Sequence, residues 1–399
     1  MKTAYIVDIL RTPIGKFGGT LASIRPDDLA AFVIKKLIER NPSLDTKLIE
    51  DVIFGAANQA GEDNRNVARM AGLLAGLPME SGGVTVNRLC ASGLQSIMDA
   101  SRATMLGEGS VYIAGGVESM TRAPFVTAKQ EQAFGRAVET YDTTIGWRFI
   151  NPALAKLHYP FAMGETAENV ADKWKVSREA QDAFAHHTQE KYQAAHEAGK
   201  FDNEIEAFTI PQRKGDDIIF AKDEHPRLSS IEKLAELKPA FKKDGSVTAG
   251  NSSGINDGAA ACLIVNEDVL KDFNLTPMAR VASMAIAGVD PAHMGVGPVP
   301  ATQKALKRAG ITVNDLDLIE LNEAFASQAI ACMNDLGLDP AKVNVNGGSI
   351  AIGHPLGASG TRISATLLHE MQKRSDAKYG LATMCIGVGQ GAAIIYEKV

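Results

Sequence analysis

Apolar positions along the chain recur in two rhythms. A helical period of about 3.6 runs through residues 27–40 (DDLAAFVIKKLIER), 94–106, 177–199, 300–309 and 361–373, and predicts amphipathic helices there. Short, nearly continuous apolar runs at 3–8, 51–55 (DVIFG), 83–90 (GVTVNRLC), 109–116 (GSVYIAGG), 317–321 (DLIEL) and 380–389 (GLATMCIGVG) read as buried strands. Strands alternating with helices, and apolar on both faces, predict parallel sheets covered on both sides.

The order of these elements repeats. In each half a helix leads into a strand, 27–40 into 51–55 and 300–309 into 317–321. Later in each half comes Ala-Ser-Gly, at 91–93 and again at 358–360, followed by a helix and a glycine-rich strand. The simplest reading is a duplicated α/β unit, two sheets packed through shared helices. Residues 121–247 interrupt the pattern with irregular, charge-rich stretches such as TIPQRKGDDIIF and AKDEHPRLSS. That composition predicts an insertion packed over a site rather than another core layer.

Composition narrows the function. Of 399 residues, 45% are hydrophobic and 22% charged, as in a globular protein with a large core. A net charge of −6 gives no general attraction for nucleic acid or an anionic membrane. The four cysteines, Cys90, Cys262, Cys332 and Cys385, are too dispersed for a disulfide framework or a CxxC zinc site. The N-terminal segment lacks a signal-peptide core and no apolar run approaches bilayer length, so a cytoplasmic location is expected.

Candidate chemistry concentrates at loop ends. Cys90 closes an apolar strand and stands just before a helix, where free N–H groups and the helix dipole favour a thiolate. His354 lies in NGGSIAIGHPLGASG (346–360), where six of fifteen positions are Gly or Pro, the mark of a tight loop that approaches something closely. Fixed there, it can act as base for a thiol. Cys385 runs into a glycine-rich segment whose N–H groups can hold an oxyanion. Asn322 follows the strand DLIEL, at the end where open α/β sheets place their sites. His186, His187 and His196 share a polar helix but not a face, and 186 and 196 stand ~15 Å apart along its axis, so no metal site is expected. Cys262 and Cys332 read as packing residues.

Taken together, RTPIGKFGG (11–19), NRLCASG (87–93), GGVESM (115–120), TAGNSSGINDGAA (248–260), HMGVGPVPA (293–301), NEAFA (322–326), the glycine-rich histidine segment and CIGVGQG (385–391) resemble the thiolase family over essentially the whole chain. The resemblance implies a duplicated five-layered αβαβα α/β fold: an N-terminal half (1–120 with 248–272), an inserted loop domain (121–247) and a C-terminal half (273–399). It also implies a homodimer or homotetramer, and coenzyme A and acyl-CoA as substrates with no permanently bound cofactor.

By the same resemblance Cys90 is the acylated nucleophile and His354 takes its proton. Cys385 is the general acid and base, and Asn322 holds a water facing the enolate oxygen. The N–H groups of Cys90 and Gly387 form a second oxyanion hole. Ser253, Ala249, Met163, Phe241, Ala324, Phe325 and Met294 match positions along the pantetheine tunnel, and Arg227 a position near the adenine nucleotide.

One departure concerns Ala162-Met163-Gly164, followed by Glu165, where many biosynthetic acetoacetyl-CoA thiolases have His-Met-Gly. The segments 57–78 and 142–149 look most like thiolases of the 3-oxoadipyl-CoA type. A degradative acyltransferase is therefore expected, with 3-oxoadipyl-CoA as its specific substrate and a biosynthetic acetyl-CoA C-acetyltransferase as the alternative. An adipyl chain ends in a carboxylate, for which Arg148, His225 and Arg227 are the available cations of the insertion. A decarboxylating ketoacyl synthase typically carries a second histidine where this chain has Asn322.

Overall fold

The computed structural model describes residues 2–399. Nine strands form the main sheet: β1 (Tyr5–Arg11), β2 (Ile49–Gly55), β3 (Gly82–Val86), β4 (Val111–Ser119), β5 (Asn256–Val265), β6 (Ala279–Gly288), β7 (Leu318–Leu321), β8 (Tyr379–Ile386) and β9 (Gln390–Lys398). Their order is β7-β8-β9-β6-β1-β5-β4-β2-β3, and the two-residue strand Gly15–Lys16 adds to β5.

Cut between β1 and β6, this order becomes two copies of one pattern. In the first half β3, β2, β4, β5 and β1 lie side by side. In the second, Val343 bridges β7 in parallel where β3 would lie, followed by β8, β9 and β6. The expected duplication is present. The two expected sheets are joined along one edge, where Tyr5 pairs with Arg280 and Ile6 with Ala279.

Nor are the sheets parallel throughout. Only β2–β3, β2–β4 and β7–β8 are parallel pairs. The chain leaves β4 at Ser119, passes through the insertion and re-enters at Asn256, with Asp257 paired to Ser119, so β5 must run back antiparallel. A tight turn at 387–389 sends β9 antiparallel along β8.

Helices complete five layers. Helices α1 (Pro26–Arg40) and α2 (Val67–Leu74) cover the outer face of the first half. Helix α3 (Ser92–Leu106) lies in the shared central layer. The insertion supplies α4 (Met163–Trp174) and α5 (Arg178–Glu197). Helices α6 (Pro298–Ala309) and α7 (Ala326–Leu336) cover the second half, and α8 (Leu356–Lys373) joins α3 at the centre. Leu94, Ile97, Ile363 and Leu368 of the central helices are fully buried between the sheets. Each such side chain contributes ~1.5–3 kcal/mol of hydrophobic stabilisation.

The repeated Ala-Ser-Gly has a packing cause. A Cβ on Gly93 would collide with the carbonyl of Gly357, and one on Gly360 with the backbone N of Leu94. Only glycine lets α3 and α8 cross so closely near their N-termini. For the same reason α8 begins at Leu356, five residues before the expected 361. Glycines that read as loop punctuation are helical residues at a crossing.

The insertion is fastened by a buried charge cluster. Arg11 is inaccessible to solvent and pairs with Glu204 and Asp223, each at 2.7 Å, while Tyr192 donates to Asp223 at 3.3 Å. Removing one partner of such a cluster would strand a buried charge, a loss of ~3–5 kcal/mol.

Candidate active site

Cys90 does not end a strand as expected. Strand β3 stops at Val86, and residues 87–91 form a turn before α3, whose first helical residue is Ser92. Leu89 takes the left-handed conformation, φ +48°, at a cost of ~1–3 kcal/mol for a side chain of its size. The Ser92 hydroxyl braces the turn by accepting from Arg88 N at 2.9 Å and donating to Leu89 O at 2.7 Å. The N–H groups of Gly387 and Cys90 face the thiol sulfur and favour the thiolate, but desolvation outweighs them and raises the thiol above its usual value of 9.0. Burial of the sulfur thus works against the thiolate that a helix N-terminus favours.

His354 is buried, and its ring is fixed on both sides. Nδ1 lies 2.6 Å from Ser359 Oγ, and that hydroxyl donates its own proton to Pro355 O at 2.8 Å. Ser359 can then only accept, which assigns the proton to Nδ1 and leaves Nε2 with its lone pair. Asn322 Nδ2 approaches Nε2 at 3.5 Å. The Asn322 amide is oriented in turn, because its Oδ1 accepts from Ser349 Oγ at 2.6 Å and Arg362 donates to the same serine. Burial first, and then the Arg362 charge, push the imidazole down to about 3. It is neutral at pH 7 and available as a base.

Cys385 sits inside β8, not after it as expected, one residue before the strand ends. Its thiol is buried with Met294, Ala324 and Phe325, and Met163 packs on this cluster. Burial raises it well above 9.0, and charge on Cys90 would raise it further, so Cys385 stays protonated. Beyond it, Gly387-Val388-Gly389 turns back with Val388 at φ +62°, strained for a β-branched residue.

A cavity of about 370 Å³ gathers Cys90, Leu89, Gly387, Met163, Glu118 and Arg148 on its walls. Leu356, two residues beyond His354, lines it as well. Glu118, which the sequence reading did not single out, accepts from the N–H groups of Ala57 (2.9 Å), Asn58 (3.0 Å) and Gly357 (2.8 Å). It thereby ties the loop after β2 to the start of α8, and burial raises its carboxyl to about 7.

The tunnel residues separate into two groups. Met163, Met294, Ala324 and Phe325 gather around Cys385, with Phe241 edge-on to Phe325 at 6.2 Å. Arg227 and Ala249 line a second cavity of about 270 Å³, where Arg227 donates to Ala249 O. Ser253 N donates to Ala324 O at 3.0 Å, placing that loop beside the first group.

Of the three expected insertion cations, only Arg148 reaches the Cys90 cavity. His225 is buried, pushed down to about 4 and therefore neutral. Glu165 turns away, accepting from Ala162 N at 2.7 Å to cap α4. A larger open groove of about 690 Å³ lies over Arg25, Glu62 and Arg122, but these charges pair with one another and no nucleophile lines it.

A buried thiol faced by two N–H groups, a neutral imidazole and a second protonated thiol are the kinds of group that acyl transfer through a thioester requires. Sequence comparison agrees. Residues 4–268 match the model of the thiolase N-terminal domain and 275–398 that of the thiolase C-terminal domain. The chain is 54% identical to the beta-ketoadipyl-CoA thiolase of Acinetobacter baylyi. It is 53% identical to the 3-oxoadipyl-CoA/3-oxo-5,6-dehydrosuberyl-CoA thiolase of Escherichia coli. Both alignments cover the whole of each chain. The fold superposes on human mitochondrial 3-ketoacyl-CoA thiolase with a TM-score of 0.93 at 40% identity, covering 100% of this chain and 99% of the other.

The chain belongs to the thiolase family. It is an acyltransferase of the degradative type, exchanging an acyl group between a 3-oxoacyl-CoA and CoA with release of acetyl-CoA.

Proposed function

We propose that this thiolase cleaves 3-oxoadipyl-CoA with CoA to give succinyl-CoA and acetyl-CoA. The observation that carries the reading is the cavity that holds both Cys90 and Arg148, so that a carboxylate-ended chain attached at the sulfur meets a cation. Full-length identity of more than half to thiolases named for that substrate supports it.

In the proposed mechanism Nε2 of His354 takes the Cys90 proton as the sulfur attacks the 3-carbonyl. The oxygen of that adduct lies toward the N–H groups of Cys90 and Gly387, and its collapse breaks the C2–C3 bond. The departing enolate of acetyl-CoA takes the proton of Cys385, while a water held by Asn322, together with His354, faces its oxygen. Succinyl remains on Cys90 as a thioester, its carbonyl oxygen toward the N–H groups of Cys90 and Gly387. As acetyl-CoA leaves, Cys385 recovers its proton from His354; incoming CoA then gives its proton to His354, attacks the thioester and releases Cys90, which takes that proton back. Pantetheine runs past Met163, Phe241, Met294, Ala324 and Phe325, with Ala249 and Ser253 beside it, and the nucleotide end lies toward Arg227. A dimer or tetramer is the proposed working assembly.

A thiolysis screen over acetoacetyl-CoA, a long linear 3-oxoacyl-CoA and 3-oxoadipyl-CoA tests the substrate. The highest kcat/KM is expected with 3-oxoadipyl-CoA. A higher value with acetoacetyl-CoA would support the biosynthetic reading instead.

A further inference from the structure

We propose that Arg148 receives the terminal carboxylate of a dicarboxylic acyl chain and sets the preference for it, an inference that rests on the 3-oxoadipyl reading. Most other cations of the region are occupied. Arg88 donates to Gln95 Oε1 at 2.7 Å and to Gln390 Oε1 at 2.8 Å, and Arg227 is in the other cavity. Arg148 has no ion-pair partner among the described residues and makes a single long hydrogen bond, 3.3 Å to the carbonyl of Asn58. A guanidinium carries five N–H donors, so a half-buried one with a single acceptor has capacity for a bidentate carboxylate.

The arm that carries it is held on both sides. Asn58 Nδ2 donates to Thr143 O at 3.0 Å and lies 3.2 Å from Thr143 Oγ1, while Trp147 Nε1 donates to Phe161 O at 3.1 Å. A guanidinium on a braced segment loses less freedom when it binds, which favours affinity. The walls of the same cavity include Leu89, Ile145, Met163 and Val388, apolar surface suited to the methylenes of the chain. The one carboxylate on the wall, Glu118, already accepts three backbone N–H groups, which offsets the repulsion an entering carboxylate would meet.

The test compares 3-oxoadipyl-CoA with its terminal methyl ester, which keeps the chain but removes the charge. The quantity read is the acid-to-ester ratio of kcat/KM in wild type, Arg148→Met and Arg148→Lys. Wild type should prefer the acid, and Arg148→Met should lower the ratio by roughly tenfold to a hundredfold. Arg148→Lys should restore part of it. An unchanged ratio in Arg148→Met overturns the inference, whether both rates persist or both fall together. So does a wild type with no preference for acid over ester. A wild type fastest on acetoacetyl-CoA whose acid-to-ester ratio still depends on Arg148 would overturn the substrate reading and leave the carboxylate contact standing.

Discussion

Ser359 fixes the tautomer of His354: its oxygen accepts from Nδ1 at 2.6 Å because its proton is already given to Pro355 O. Without it, both imidazole tautomers become accessible and Nε2 is a base only part of the time. Loss of a buried hydrogen-bond partner costs ~1–3 kcal/mol, and ~1.4 kcal/mol is tenfold in rate. Ser359→Ala should lower kcat about tenfold with little change in KM, and slow the acylation of Cys90 in rapid-quench experiments. An unaltered acylation rate would contradict the assignment.

Cys90 and His354 rest uncharged, since desolvation raises the thiol above 9.0 and lowers the imidazole to about 3. Alkylation of the free enzyme by iodoacetamide should therefore keep rising with pH beyond ~8, as the thiolate fraction grows. A plateau beginning near neutrality would reveal a preformed thiolate–imidazolium pair. Peptide mapping should place the label on Cys90.

The two half-reactions should separate at Cys385, because no α-proton moves when acetyl-CoA acylates Cys90. Cys385→Ala should abolish condensation and hydrogen exchange at the acetyl methyl, yet retain part of the acetylation of Cys90 seen by mass spectrometry. Equal loss of both activities would mark Cys385 as a packing residue of the Met294 and Phe325 cluster.

Glu118 gives the fold a pH dependence of known sign. Its carboxyl is raised from 4.5 to about 7, so between those values the folded chain holds more protons than the unfolded one. Stability from this group is complete below 4.5 and falls as pH rises through about 7. Glu118→Gln should remove that slope, apart from a constant offset for its altered hydrogen bonds. Urea midpoints measured across this range should diverge from wild type in the variant's favour as pH increases. Parallel curves would refute the assignment. Glu320, raised to about 8 by burial, contributes a similar slope to both proteins and cancels.

Periodicity and motif order made much of this legible in advance. The duplicated halves and the loop positions of Cys90, His354 and Asn322 follow from local pattern. The antiparallel pairs do not, because they depend on where the chain re-enters after the insertion and on one tight turn. The start of α8 was hidden because Gly357 and Gly360 serve a helix crossing rather than a loop. Ser349, Arg362 and Glu118 were overlooked for a related reason. Their importance lies in contacts between segments far apart in sequence, such as Glu118 with Gly357 and Ser349 with Asn322. The helix-end position of Cys90 is legible because it is local, whereas the desolvation that opposes its thiolate is set by everything packed around the sulfur.

The crossing of α3 and α8 has an evolutionary consequence. Each copy of the repeat presents one loop immediately before its central helix, and these two loops meet at the quasi-symmetric seam. One carries Cys90, the proposed nucleophile, and the other carries His354, its proposed base. An ancestor built from two identical chains would have offered the same address twice, with every residue at the seam answering to two roles. Joining the copies in one polypeptide freed each loop to specialise. The symmetry that survives in the backbone is broken in the chemistry, and neither half retains a complete catalyst.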